Sequence, residues 1–257
     1  MKLRILHFAA ALTLSVLGLF ASKPLVIAHR GHWNVEGSAQ NSIAALIKAD
    51  SIGADATEFD VWLSADSVLV VNHDATFNGV NMEFSTSDVI RSQKLANGEN
   101  LPTLEEYLTV AKDLKPRIIC EIKTHDSNSK EREAIKQTLA MIKKFGLEDR
   151  TTYVMFSKNG LLELIRQAPE GTRVQYPRGD YIPEQVKFMG INGVTYNIKV
   201  LKAHPDWIKK FHDLGIEVNV WTISEPEDMQ WCIDNNVDYV TCNDPETLIK
   251  MIAEQSK

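Results

Sequence analysis

Two histidines and three carboxylates stand at the ends of hydrophobic runs in the first half of the chain, and their chemistries are complementary. His29 closes Leu25-Val26-Ile27-Ala28-His29, and Glu58 and Asp60 sit two apart in Glu58-Phe59-Asp60-Val61. His73 ends Leu69-Val70-Val71-Asn72-His73, and Glu121 ends Ile118-Ile119-Cys120-Glu121. Oxygen-only ligands suit a hard divalent cation, Ca²⁺, Mg²⁺ or Mn²⁺, rather than zinc. A pair of imidazoles suits proton removal from an attacking oxygen and proton delivery to a leaving group. Residues two apart on a strand share a face, so Glu58 and Asp60 point the same way. Carboxylates held that close repel one another unless a cation sits among them. The competing arrangement is a ring of solvated acids, or acids paired with Arg30 and Lys123. Strand-end placement of all three favours the cation.

Such a set needs strands that end at a common edge, and the rest of the sequence supplies them. Strand-like runs lie at 25–29, 56–63, 67–73, 117–122, 152–157, 173–176, 193–196, 217–222 and 238–242, with helical patterns between most of them. Ile43, Leu46 and Ile47 form one stripe, stopped by Gly53. Thr103 and Glu106 make a capping box, and Ile135, Leu139, Ile142 and Phe145 form another stripe, ended by Gly146. Pro205 opens a helix that Gly215 ends, Ser224 with Glu227 is expected to cap the next, and Pro245 opens the last. The alternation implies a (β/α)₈ TIM barrel, an α/β fold whose chemistry sits at the C-terminal edge of the strands. One strand is then surplus. The link between 56–63 and 67–73 is too short for a crossover helix, so these two runs should form a hairpin that brings His73 back beside Glu58 and Asp60. The polar stretch 74–101 should follow as a small capping insertion after the second barrel strand.

Composition is consistent with that plan. The 257 residues, 44% hydrophobic, can bury one sizeable core. The formal charge of −6 argues against a nucleic-acid partner and a basic membrane patch. An anionic substrate would have to be received locally. Lys2 and Arg4, an apolar run from Ile5 to Phe20 and then Ala21-Ser22 have the order of a secretory signal. The expected organisation is a signal peptide over 1–22 and one barrel domain over 23–257, exported to the periplasm or secreted, with no stable membrane insertion after cleavage. Cys120, Cys232 and Cys242 lack metal-like spacing and are expected to be structural, without a Cys232–Cys242 bridge.

The ordered motifs resemble the glycerophosphodiester phosphodiesterase family, which is similar to phosphatidylinositol-specific phospholipases C in barrel fold and histidine pair. They are His29-Arg30-Gly31, Asn41-Ser42, Glu58-Phe59-Asp60, His73-Asp74, Glu121-Ile122-Lys123 and Trp221-Thr222, spread over about residues 25 to 250. The resemblance implies that His29 and His73 are the acid/base pair and that Glu58, Asp60 and Glu121 ligate one Ca²⁺ or Mg²⁺. It also implies that Arg30 and Lys123 contact phosphate and that Trp221 lines the glycerol side. The chain departs from the family at Ala39-Gln40-Asn41-Ser42, where the family usually reads Pro-Glu-Asn-Thr. Gln40 is therefore expected near the metal or its supporting contacts, one negative charge short. Asn41 either caps the following helix or supports a metal ligand.

With a divalent cation, three carboxylates and two basic side chains, the site keeps a single net positive charge. That balances a phosphodiester better than a phosphomonoester, which carries more charge near neutral pH. The implied reaction is hydrolysis of a small-molecule glycerophosphodiester to sn-glycerol 3-phosphate and an alcohol. Water or the substrate's own glycerol hydroxyl could attack. Two other readings are a phospholipase on intact lipid headgroups, against which the absence of an apolar rim is expected to count, and a non-catalytic glycerophosphodiester-binding protein.

Overall fold

The computed structural model describes residues 23–255, so the leader segment expected over 1–22 lies outside the described residues. The first half of the chain runs β1 Leu25–Ala28, α1 Ile43–Ser51, β2 Ala56–Leu63, β3 Leu69–Val71, β4 Thr76–Phe77, β5 Val80–Asn81, α2 Ser87–Arg91, α3 Leu104–Ala111, β6 Arg117–Ile122 and α4 Asn128–Lys144. The second half runs β7 Thr151–Val154, α5 Lys158–Gln167, β8 Arg173–Tyr176, α6 Pro183–Phe188, β9 Gly193–Asn197, α7 Ile198–Ala203 and α8 Trp207–Asp213. It closes with β10 Glu217–Ile223, α9 Pro226–Asp234, β11 Tyr239–Cys242 and α10 Pro245–Glu254.

Eight of these strands form a closed parallel barrel in which neighbours in sequence are neighbours in space: β1, β2, β6, β7, β8, β9, β10, β11, then β1 again. β3 pairs antiparallel with β2, Val61 opposite Val71, and is the surplus strand expected from the short link. Among the described residues no helix is long and apolar enough to cross a membrane.

The barrel interior changes character along the strands. Ile27, Ala56, Ile119, Val154 and Tyr239 close its lower part as a small apolar cluster. Continuing upward by the strand period of two from Ile27, Ala56 and Ile119 reaches His29, Glu58 and Glu121, so one interior stripe passes from apolar to ionisable. The outward faces pack on the helices in the main core, where the rings of Phe59 and Tyr107 meet at a tilt of 34° with centroids 4.6 Å apart.

Local signals explain most helix ends. Thr103 and Glu106 form the reciprocal capping box at α3, a contact of about 1 kcal/mol. In α1 the inward residues are Ala45, Leu46 and Ala49, whereas Ile47 is 45% exposed, off the stripe expected for it. The Ser224–Glu227 cap is not formed. Glu225 is the N-cap of α9 and makes no side-chain cap bond, while Ser224 accepts from the Asn243 amide. The three cysteines are free and buried.

The insertion 74–101 carries β4, β5 and α2. Its Met82, Ile90, Leu95 and Leu101 bury against Trp62 and Val70 of the hairpin and against Ala39. It therefore walls the hairpin side of the mouth. Phe84 and Val89 on it are exposed, 65% and 48%, and neither lines the cavity at the mouth.

Candidate active site

The β1 end sets the geometry. Gly31 has φ +78°, and a Cβ there would meet the backbone and side chain of Ala45 at 2.6–2.9 Å, so only glycine lets the turn pack on α1. Arg30 just before it is also left-handed, φ 56°, a costly conformation for a non-glycine residue. That turn aims the Arg30 backbone N–H at the Glu58 carboxylate, 2.9 Å away.

Glu58 and Asp60 lie two apart on β2, and Asp60 is in direct register with Glu121 on β6. One oxygen from each of the three carboxylates falls within 4.8 Å of the others. Asp60 is fully buried, Glu58 is nearly so, and Glu121 is half-buried. Lys123 sends its ammonium between two of them, 3.2 Å from Asp60 and 2.7 Å from Glu121. The Arg30 Nε lies 3.9 Å from Asp60. The two cations thus partly neutralise the acids, as in the competing arrangement, and among the described residues no basic side chain forms an ion pair with Glu58 closer than His29 at 3.9 Å.

The protonation pattern shows the remaining excess of negative charge. Burial pushes Glu58 well above the usual carboxylate range, and the charges of Asp60 and Glu121 add to it. Burial, with the Asp60 charge, pushes Glu121 up to about 7. For Asp60 burial acts in the same direction, but Lys123 and then His73, the Asn41 amide and Arg30 outweigh it and hold the carboxyl low. Acids that resist ionisation because they are buried and face one another are a good fit for a divalent cation, which would replace protons as the compensating charge. The all-oxygen donor set matches Ca²⁺ or Mg²⁺.

His29 and His73 both face this cluster. His29 places Nε2 3.9 Å from Glu58, and its Nδ1 shares a 2.7 Å hydrogen bond with Asn243. Burial, helped by the Arg30 charge, lowers His29 to about 4. His73 is more open, and its Nδ1 is 2.7 Å from the Asp74 carboxylate. Burial lowers it too, against the opposing pull of Asp60 and Asp74.

Together, His29, Arg30, Glu58, His73, Glu121, Lys123 and Trp221 line one cavity of about 380 Å³, with Asp60 directly behind it. Trp221 donates its indole N–H to the Thr195 carbonyl and meets Phe156 edge-on at 5.7 Å. Asn41 does not cap α1, because Ser42 does. Instead its amide N–H₂ donates to Asp60 at 2.9 Å, and its oxygen accepts the Asp60 backbone N–H at 3.3 Å. Gln40 makes no hydrogen bond to the carboxylates. Its Oε1 accepts from the Arg30 guanidinium at 2.6 Å, so it reaches the cluster through Arg30.

Sequence reasoning missed Asn243, Phe156 and Trp62, and left Asp74 without a role. Asn243 directly follows β11, so the strand-end argument applied to His29 would have found it. Trp62 is held from behind: its ring meets His125 edge-on at 5.3 Å, and His125 Nε2 accepts the backbone N–H of Leu63. His125 is therefore structural.

A closed (β/α)₈ barrel with an acid cluster and two histidines at its carboxyl edge is the architecture of a barrel hydrolase. Residues 29–247 match the glycerophosphoryl diester phosphodiesterase family, and the chain belongs to that family of enzymes. It is 30% identical to a glycerophosphodiester phosphodiesterase from Caldanaerobacter subterraneus subsp. tengcongensis over 90% of this chain and 98% of that one. A crystal structure of a glycerophosphodiester phosphodiesterase from Parabacteroides distasonis superposes with a TM-score of 0.89 at 43% identity, covering 91% and 99% of the two chains. An Oleispira antarctica phosphodiesterase, solved in complex with sn-glycerol-3-phosphate, shares the fold at 21% identity and a TM-score of 0.78, covering 90% and 97%.

Proposed function

We propose that the protein hydrolyses glycerophosphodiesters to sn-glycerol 3-phosphate and an alcohol, using one Ca²⁺ or Mg²⁺ held by Glu58, Asp60 and Glu121. The observation that carries this reading is the meeting of those three carboxylates with two histidines and two basic side chains around one cavity. When bound, the cation would neutralise the acids and polarise a phosphoryl oxygen. Arg30 and Lys123 orient the phosphate from the same side. His29 takes the proton of the attacking oxygen, which forms the new bond to phosphorus. As the bond to the leaving alcohol breaks, His73 gives that oxygen a proton, and the Asp74 carboxylate on its Nδ1 stabilises the imidazolium beforehand. Asn41 fixes the Asp60 carboxylate, and Gln40 fixes Arg30. Trp221 and Phe156 offer apolar faces to the carbon edge of a glycerol.

The protein is exported in this reading, its first 22 residues serving as a cleaved signal. Mass spectrometry of the protein recovered from the cell envelope and medium tests that. A mature N-terminus near residue 23 is expected, and an intact Met1 in a cytoplasmic fraction would refute it.

The reaction is tested by incubating purified protein with glycerophosphodiesters, with and without chelator, and measuring glycerol phosphate. Release that stops on chelation and returns with Ca²⁺ or Mg²⁺ is expected. Full release after exhaustive chelation would remove the cation from the scheme, and affinity without product would leave a binding protein.

A further inference from the structure

The end of β6 places Glu121 and Lys123 between two aromatic walls. On one side Trp62 continues the inward stripe of Glu58 and Asp60, and its indole N–H donates to the His73 carbonyl at 3.4 Å. On the other side Phe156 follows β7 and meets Trp221 edge-on. Both rings line the cavity, where the two arms of a diester held at Lys123 would lie against them.

One carboxylate outside the cavity ties these walls together. Glu131, in the first turn of α4, is only 3% exposed. Its Oε1 accepts the His125 backbone N–H at 3.3 Å, and its Oε2 accepts the Ser157 hydroxyl at 2.8 Å. His125 backs the Trp62 ring and accepts the Leu63 N–H at 2.9 Å. Ser157 directly follows Phe156, and its oxygen also caps α5 by accepting the Gly160 N–H at 3.1 Å. Contacts therefore run without a break from Trp62 through His125, Glu131 and Ser157 to Phe156, joining the two strands that flank β6. The first turn of α5 packs on the carboxylate. A Cβ on Gly160 would collide with the Met155 side chain and come within 3.0 Å of Glu131 Oε2. Among the described residues no basic side chain forms an ion pair with Glu131, and each of its oxygens holds a different loop. A carboxylate buried in this way is costly unless its oxygens are engaged by donors, so its place here is set by the two loops it joins.

We propose that Glu131 is a positioning residue that sets the spacing of Trp62 and Phe156, and through it the fit of the substrate's two arms. The proposal rests on the diester hydrolysis set out above. Among the described residues Glu131 makes no hydrogen bond or ion pair with the acid cluster, His29 or His73, so its loss acts on substrate binding more than on turnover.

The test assays variants on glycerophosphocholine in the metal-supplemented enzyme. Glu131→Leu should raise KM about tenfold while kcat falls by less than about threefold. Glu131→Gln should bring KM back near the wild-type value, because its oxygen can accept from His125 and its N–H₂ can donate to the Ser157 oxygen. Phe156→Leu should raise KM in the wild type but add little to Glu131→Leu, whose wall is already displaced. If Glu131→Leu does not fold, Ser157→Ala carries the same comparison, since it cuts the Phe156 branch at a half-buried position. A lowered melting temperature with KM unchanged would make Glu131 merely structural and overturn the proposal. A Phe156→Leu effect of equal size in both backgrounds overturns it too, as does failure of Glu131→Gln to restore KM. Wild-type turnover leaves the proposed reaction standing in each of these cases. No turnover of any diester by the wild type removes that reaction and the role of Glu131 with it.

Discussion

The two arcs of the barrel mouth are built on the same strand geometry and carry opposite chemistry. The arc of β1, β2 and β6 presents His29, Glu58, Asp60, Glu121 and Lys123, every one tied to another by charge or hydrogen bond. The arc from β7 to β10 presents Phe156, Pro177, Thr195, Asn219 and Trp221, all neutral. Below that neutral arc the interior is joined by a short chain of hydrogen bonds, Thr241 to Asn219 and Asn219 to Gln175. Charge is thus confined to the side where a phosphate must be held. The neutral side can exclude water from a substrate's uncharged arm without placing a second charge nearby, so each arc can be perturbed separately.

The largest effects should come from the charged arc. His29→Ala and His73→Ala are each expected to lower kcat by about 10²-fold or more, with little change in thermal stability. A variant that keeps near-normal turnover on a substrate with a poor leaving group would show that its histidine only packs.

Across the mouth, Trp221→Leu should act on binding. Losing the aromatic face that meets Phe156 is expected to raise KM by about tenfold while kcat falls little. A kcat loss as large as that of the histidine variants, with KM unchanged, would erase the division between the arcs.

The carboxylates give the comparison a pH dependence. Burial and the Asp60 charge raise Glu121 from an ordinary 4.5 to about 7 in the folded protein. The folded state then holds a proton that the unfolded state releases. That contribution to stability is complete below the ordinary value and is lost as pH rises through about 7. Burial lowers His29, His125, His32 and His73, which act in the opposite direction below about 6.5, so the acid is read against Glu121→Gln: metal-free wild type should lose a few degrees of melting temperature relative to that variant between about pH 5.5 and pH 8. Calorimetry should also show protons released when the cation binds in this window. A difference between the two proteins that stays constant across that range would contradict the burial and crowding ascribed to these acids.

The smallest effect belongs to Gln40→Glu. Since Gln40 bonds Arg30 and none of the carboxylates, the new charge acts at one remove, and metal affinity should tighten only a few-fold. Metal titration of both proteins decides it, and identical affinities would confine Gln40 to holding the guanidinium.

Much of the charged arc was legible because strand periodicity is a local property. Glu58 and Asp60 had to share a face, and the short link at 64–67 had to be a hairpin, which delivered His73 to Asp60 through the pairing of Val61 with Val71. The neutral arc was legible only at Trp221, because the aromatic Phe156 reads as ordinary core until its neighbours are known. Asn243 was hidden by its Asp-Pro successor, which reads as a helix start, although it bonds His29 across 214 residues.

By itself the sequence determined the alternation of strands and helices, the hairpin, and which ionisable residues reach the carboxyl edge, since period and breakers act over a few residues. Only the tertiary structure decided the pairings: Asn41 with Asp60 rather than with its helix, Gln40 with Arg30, Lys123 between two acids, and the insertion beside the mouth with a groove at its flank. Those depend on the register and closure of the barrel, which bring together side chains tens of residues apart, and on burial, which makes each buried charge take the nearest partner available.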